Sequence, residues 1–214
     1  MALHGYYLQN KCIVHGRCRL VTPIIESKPL HLASASPRRR AILMALGLEF
    51  SVGGADVDEI RLNGEPAEDM VLRLAGAKAQ AGSPGEELVV IGADTAVVYG
   101  DEVFGKPRHC DDAVAMLAAL SGKTHQVMTA VAVRAGGELG VALSVTDVRF
   151  REISPDEALR YWQSGEPADK AGAYAIQGKG GVFVEEIQGS YSGVVGLPVF
   201  ETVRLLEQAG IKVF

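Results

Sequence analysis

Leu88-Val89-Val90-Ile91-Gly92-Ala93-Asp94-Thr95 is the stretch from which the fold can be read. Residues 88–93 are nearly all apolar, as in a strand buried on both faces of an α/β sheet. Asp94 then ends the run with a charge, at the carboxyl end of a strand, where open α/β sheets keep their ligand sites. Downstream, residues 97–99 and 102–104 predict a hairpin turned at Gly100-Asp101. Its register sets Tyr99 opposite Glu102 and Val97 opposite Phe104. Continued outward it sets Thr95 opposite Lys106, which would make Asp94 and Lys106 neighbours.

Helices and strands alternate on either side. Residues 30–33 and 49–52 predict strands, and 37–46 a helix stopped by Gly47. Met70, Val71, Leu74 and Ala77 recur at the period of an amphipathic helix over 66–80. Residues 112–120 predict a helix closed by Gly122. Two long β runs, 125–134 and 139–151, flank Ala135-Gly136-Gly137, and a strand follows at 182–187. Ser154-Pro155-Asp156-Glu157 is a capping box opening a helix toward Ser164, and 198–208 is a last helix ended by Gly210. The fold class is therefore α/β. The sheet is mixed, because the long runs are joined as a hairpin.

The 214 residues can bury a core without staples, and 48% hydrophobic with 22% charged content excludes a largely disordered chain. No apolar run approaches the ~18 residues of a membrane span. A net charge of −5 and 6% aromatic content argue against a non-specific nucleic-acid coat, so no nucleic-acid polymer and no membrane are expected as partners. Cys12, Cys18 and Cys110 form neither a disulfide framework nor a zinc pattern, and fit a reducing cytoplasm. Residues 1–29 have no acid before Glu26 and lack the apolar core of a secretory signal. They are expected to be a poorly ordered extension, with the compact domain spanning 30–214.

Four stretches carry chemistry. In Ser34-Ala35-Ser36-Pro37-Arg38-Arg39-Arg40, Ser36 is a candidate N-cap and Pro37 the first helical residue, followed by three arginines. A helix start is already positive, so these cations suit either an anion bound there or plain solvation. Asp94 beside Lys106 reads as an ion pair or as a general base next to a phosphate-binding cation. Asp56, Asp58 and Glu59 read as a solvated loop or, near a phosphate cradle, as candidates to hold a divalent cation. Lys78 by itself reads as a surface lysine. The small residues of 169–181 permit close approach of backbone or ligand, and Gln177 could read a base edge. His109 and His125 lack metal-ligand spacing. Gly122-Lys123-Thr124 imitates the end of a P-loop, but Leu117 stands where its first glycine belongs.

Together these residues resemble the Maf proteins, nucleoside triphosphate pyrophosphatases once described as septum-formation inhibitors. The matching pieces are Leu32 to Arg39, Gly92-Ala93-Asp94-Thr95, Gly105-Lys106-Pro107, Leu120 to His125, Asp169 to Tyr174, and Gly189-Ser190-Tyr191 through Val195-Gly196-Leu197-Pro198. The resemblance runs from about residue 30 to the end. It implies an elongated α/β fold with two lobes around a central cleft, like that of inosine triphosphatases, and a homodimer. It implies hydrolysis of a nucleoside triphosphate to the monophosphate and pyrophosphate with Mg²⁺ or Mn²⁺. Asp94 then matches the catalytic base, with Asp94 and Glu59 on the metal and Lys78 and Lys106 beside them. Ser34, Ser36, Arg38 and Arg39 match the phosphate loop, while Arg38, Thr95 and Gln177 match positions tied to substrate choice. Ala93-Asp94-Thr95 and Ala173-Tyr174-Ala175-Ile176-Gln177-Gly178 side with the branch acting on dTTP and UTP. The alternatives are another nucleotide, such as 7-methyl-GTP or a modified pyrimidine triphosphate, and a non-catalytic nucleotide-binding regulator of septum formation.

If residues 1–29 are an appendage, deleting 1–26 will leave melting temperature and activity unchanged. A collapse of the melting temperature would show that the segment packs on the domain.

Overall fold

The computed structural model describes residues 28–82 and 87–214, with a backbone pairing of Ile13–Val14 and Arg17–Cys18. The expectation for residues 1–29 lies, but for that pairing and the last two residues, outside them. Seven strands form one sheet: β1 (Leu30–Ala33), β2 (Ser51–Gly53), β3 (Val89–Tyr99), β4 (Glu102–Phe104), β5 (Thr124–Ala135), β6 (Glu138–Phe150) and β7 (Val184–Gln188). Their order is β2-β1-β3-β5-β6-β7, with β4 against the far half of β3. β1 is parallel to β2 and β3, and the remaining pairings are antiparallel, giving the mixed sheet the hairpin signal required. The helices are α1 (Pro37–Ala45), α2 (Ala67–Ala81), α3 (Cys110–Leu120), α4 (Pro155–Gln163), α5 (Tyr191–Val195) and α6 (Val199–Gln208). None of them is long and apolar enough to cross a membrane.

One expectation fails in an informative way. The strand does not end at Asp94: β3 runs unbroken through it to Tyr99, because β5 pairs with it from Val89↔Ala135 to Val98↔Gln126. The opposite edge of β3 is shared. β1 covers it from Val89 to Ile91 and β4 from Val97 to Tyr99, leaving residues 92–96 without a strand neighbour on that side. Asp94 thus lies at a gap in the sheet, not at a strand end. The hairpin pairs Val97↔Phe104 and Tyr99↔Glu102 form as expected, but β4 stops there. Thr95 pairs with Thr129 of β5 instead of Lys106.

Strand alternation then divides the core. On one face of β3, Val89, Ile91 and Ala93 join Leu32, Leu43, Val131, Leu197 and Leu206 in one apolar cluster. Val97, farther along the same face, joins Phe104, Leu117, Leu120, Phe150 and Phe183 in another. The registered polar pair Thr95 and Thr129 sits between the two clusters. The other face carries a third cluster, in which Ala96 and Val98 pack with Val71, Leu74, Ala75 and Ala79 of α2.

On that face α2 lies almost on the backbone of β3. A Cβ at Gly92 would fall 2.3 Å from the Ala75 carbonyl oxygen and 2.4 Å from the Ala79 nitrogen. The missing side chain at Gly92 and the methyls at Ala75 and Ala79 allow this approach. Gly92→Ala is therefore expected to cost about 1–3 kcal/mol by overpacking, read by denaturant unfolding. It should also lower activity more than its stability loss explains, because α2 would be pushed off the strand.

Candidate active site

The close seat of α2 carries Lys78 over the gap. Lys78 lies four residues after Leu74 on the buried stripe of the helix, and its side chain is 9% exposed. Its Nζ donates to Asp94 Oδ1 at 2.6 Å and lies 2.5 Å from Glu59 Oε1. This corrects the reading of Lys78 as a surface lysine. Its place on the Met70–Val71–Leu74 stripe was the available signal: a lysine on an apolar face needs an anion to meet. The partner of Asp94 is thus Lys78, whereas Lys106 lines the same cleft without that contact.

The two carboxylates are driven apart in acidity. Burial pushes the Asp94 carboxyl above its ordinary value, and the Lys78 ammonium opposes but does not cancel this. Glu59 goes the other way: its hydrogen bond to Lys78 holds it below the usual range.

Thr95, next in the strand, points to the opposite face and meets α1. Arg39 is not the free cation expected at the helix start. Its Nε donates to the Gly196 carbonyl at 2.8 Å, Nη1 to Ser34 Oγ at 3.2 Å and Nη2 to Thr95 Oγ1 at 3.3 Å. The Thr129 hydroxyl lies 3.0 Å from that of Thr95 and donates to the Gly193 carbonyl at 2.8 Å. Arg39 therefore ties β1, β3 and the end of α5 together beneath the cleft. Arg38 reaches outward to Asp169 Oδ2 at 3.2 Å, an ion pair spanning the cleft that the sequence reading did not single out. The start of α1 stays open. Ser36 is the N-cap residue but makes no side-chain cap, Ser34 Oγ accepts from the Ser36 N–H at 3.2 Å, and the first turn has no acid. By contrast α4, with the same Ser-Pro opening, closes its capping box with Ser154 and Glu157.

The far wall comes from residues 166–181. Gly172 donates its N–H to the Gly105 carbonyl at 3.1 Å, which fixes the chain beside Lys106. Glu166 accepts from the N–H groups of Lys179 and Gly180, each at 3.0 Å, and from the Tyr161 hydroxyl at 2.7 Å. That holds the turn bearing the exposed Gln177. Tyr174 is anchored from below by His125, whose Nε2 lies 2.9 Å from its hydroxyl. Burial takes His125 down to about 4, so it is a neutral core residue. His109 caps α3 by accepting from the Asp112 N–H. Neither histidine enters the cleft.

The outcome is one cavity of about 730 Å³. Ser34, Ser36, Arg38, Arg39 and Thr95 line one side of it, and Glu59, Lys78, Asp94, Lys106 and Gln177 the rest. Asp56 and Asp58 are exposed and stay outside; Asp58 Oδ1 instead accepts from the Ile60 N–H at 3.0 Å. Asp94 and Glu59 converge on a single ammonium, that of Lys78. Among the described residues no group of three metal-ligating side chains forms. Two carboxylates are the oxygen donors that Mg²⁺ or Mn²⁺ would take there, with phosphate oxygens and water completing the shell.

Comparison with known proteins converges on one family. The model of the Maf-like protein family matches residues 29–209. The dTTP/UTP pyrophosphatase of Hahella chejuensis is 53% identical over 189 residues, covering 86% of this chain and 94% of that protein. The dTTP/UTP pyrophosphatase of Anaeromyxobacter dehalogenans is 56% identical over 185 residues, covering 85% and 94%. Among solved structures, the Staphylococcus aureus Ham1 protein matches 57% of this chain and 72% of its own at 15% identity, with a TM-score of 0.42. With the family model spanning nearly all of the described domain, the chain belongs to the Maf family.

Proposed function

We propose that this chain hydrolyses dTTP and UTP to the nucleoside monophosphate and pyrophosphate. The observation that carries this reading is the convergence of Asp94 and Glu59 on Lys78, in the same cavity as an uncapped, arginine-bearing helix start. The relatives named dTTP/UTP pyrophosphatase, at about half identity over most of both chains, support the substrate class. The family resemblance extends the proposal to a homodimer working in the cytoplasm.

In this mechanism the triphosphate lies along the cleft. Ser34, Ser36, Arg38 and the open N–H groups of α1 receive phosphate oxygens, as helix starts do. Lys106 faces them from the other wall, and Gln177 and Thr95 are available to the base. Asp94 is the base. Lys78 holds its Oδ1, Oδ2 has no hydrogen-bond partner among the described residues, and burial makes the carboxylate a better proton acceptor than a solvated one. Water attacks the α-phosphorus, Asp94 takes the proton, and the α–β anhydride bond breaks to release pyrophosphate. A divalent cation held by Asp94, Glu59 and the phosphates would, when bound, acidify the attacking water and neutralise the leaving pyrophosphate. Arg39 supports the floor of the cleft by fixing Ser34 and Thr95.

A panel of nucleoside triphosphates with separate detection of pyrophosphate and phosphate tests the activity. Pyrophosphate with dTMP or UMP is expected. Release of orthophosphate, or preference for a purine nucleotide, would overturn the assignment.

Asp94→Asn is expected to lower kcat by at least ~100-fold while keeping nucleotide affinity. Its stability has a definite sign. A carboxyl raised on folding stabilises the protein when protonated, and that contribution is lost as pH rises through the raised value. At neutral pH the Asn variant should therefore melt no lower than wild type, with any advantage vanishing in acid. Near-normal turnover would mean that another group activates the water.

A further inference from the structure

Glu59 stands on an unpromising support. Residues 54–64 carry no helix or strand and are mostly exposed, and the Glu59 side chain itself is 57% exposed. An ion pair at such a site is a weak tether, because solvent screens it and both side chains lose freedom in making it. A few residues on, however, the same segment is fastened to α2 by a second contact, and this one is forked. Arg73 donates from Nε to Glu65 Oε1 at 2.6 Å and from Nη2 to Glu65 Oε2 at 2.7 Å, the paired geometry in which guanidinium and carboxylate bind best. The Glu65 side chain is 8% exposed and that of Arg73 33%, so the pair is half-buried.

The surrounding bonds carry this anchor back toward Glu59. Arg73 Nη2 also donates to the Ile60 carbonyl at 3.2 Å, one residue beyond Glu59. Glu65 Oε2 accepts from the Leu62 N–H at 3.0 Å, and Arg61 Nε donates to the Glu65 carbonyl at 2.8 Å. Residues 60–65 are thus closed into a compact loop on Arg73. That arginine shares α2 with Lys78, so one rigid helix carries both the cation that Glu59 meets and the cation that holds its loop. Neither Arg73 nor Glu65 lines the cleft.

We propose that the Arg73–Glu65 ion pair is a positioning clamp that sets Glu59 against Lys78, so that a contact outside the cleft fixes one wall of the site. The claim rests on the proposed function only in taking Glu59 as a participant in turnover.

The test compares Arg73→Gln, Glu65→Gln and Arg73→Lys in the full chain, by amide hydrogen exchange without nucleotide and by steady-state kinetics with dTTP and Mg²⁺. In Arg73→Gln, exchange across 59–65 should quicken by about 10-fold or more, while β3, α2 and the melting temperature stay near wild type. kcat should fall about 10- to 100-fold with KM little changed, the scale expected when a working group is misplaced by about 1 Å. Arg73→Lys, which keeps the charge but not the fork, should recover only part. Adding Glu59→Gln to Arg73→Gln should cost nothing beyond Glu59→Gln alone, since both remove one and the same contact. Losses that multiply in the double variant, or unchanged exchange across 59–65, would overturn the clamp. Should Arg73→Gln fail to fold, Glu65→Gln carries the same comparison. A wild-type chain that hydrolyses no nucleotide would defeat the activity reading, whereas the exchange measurement would still decide the clamp.

Discussion

The site depends on the absence of one side chain. At Gly92 the strand offers no Cβ, and the Ala75–Ala79 stretch of α2 settles into that space nearly against the backbone. Close packing there fixes the helix in height and rotation, because interiors at this density have no slack to absorb a shift. Lys78, one residue before Ala79, is carried with the helix and arrives over Asp94, two residues beyond Gly92. The ion pair at the centre of the cleft is thus placed by packing rather than by its own attraction, which would be insufficient to offset the burial of two charges.

The alternation of β3 assigns different work to adjacent residues. Asp94 turns to the α2 face and meets Lys78, while Thr95 turns to the α1 face and joins the Arg39 network around Ser34. A single strand with an unpaired stretch on one edge therefore serves both halves of the cleft. The resulting cavity concentrates Arg38, Arg39, Lys78 and Lys106 in a chain of net charge −5. A local positive field of this kind draws in a polyanion without making the whole surface sticky toward nucleic acid.

Much of this was legible in the residues. The apolar run before Asp94, the glycine-closed helices and the hairpin-joined long strands led to a mixed α/β sheet. The ill-charged start of α1 singled out a stretch that does line the cleft. What could not be read followed from contacts distant in sequence. Asp94 looked like a strand end because its polarity breaks an apolar pattern, yet backbone pairing with β5 is indifferent to that polarity and carries the strand through. Lys78 looked like solvent-facing charge because lysines usually are; its place on the apolar stripe pointed inward, but the carboxylates it meets are distant in sequence. Arg39 looked free because its partners Thr95 and Gly196 are 56 and 157 residues away. The extension of β3 also displaced the expected Asp94–Lys106 pairing, since β4 ends at Phe104.

The long strands have a further consequence. β3, β5 and β6 pass beneath the cleft without interruption, and their ladders run from Val89↔Ala135 to Val98↔Gln126 and from Thr124↔Arg149 to Ala135↔Glu138. The two cores on the shared face are consequently joined by continuous hydrogen-bonded backbone, where many two-lobed enzymes have a linker. One lobe cannot melt while the other stays intact without tearing strands that belong to both. Unfolding should then be a single cooperative event, with the floor of the cleft among the last parts to exchange its amides and the loops above it among the first.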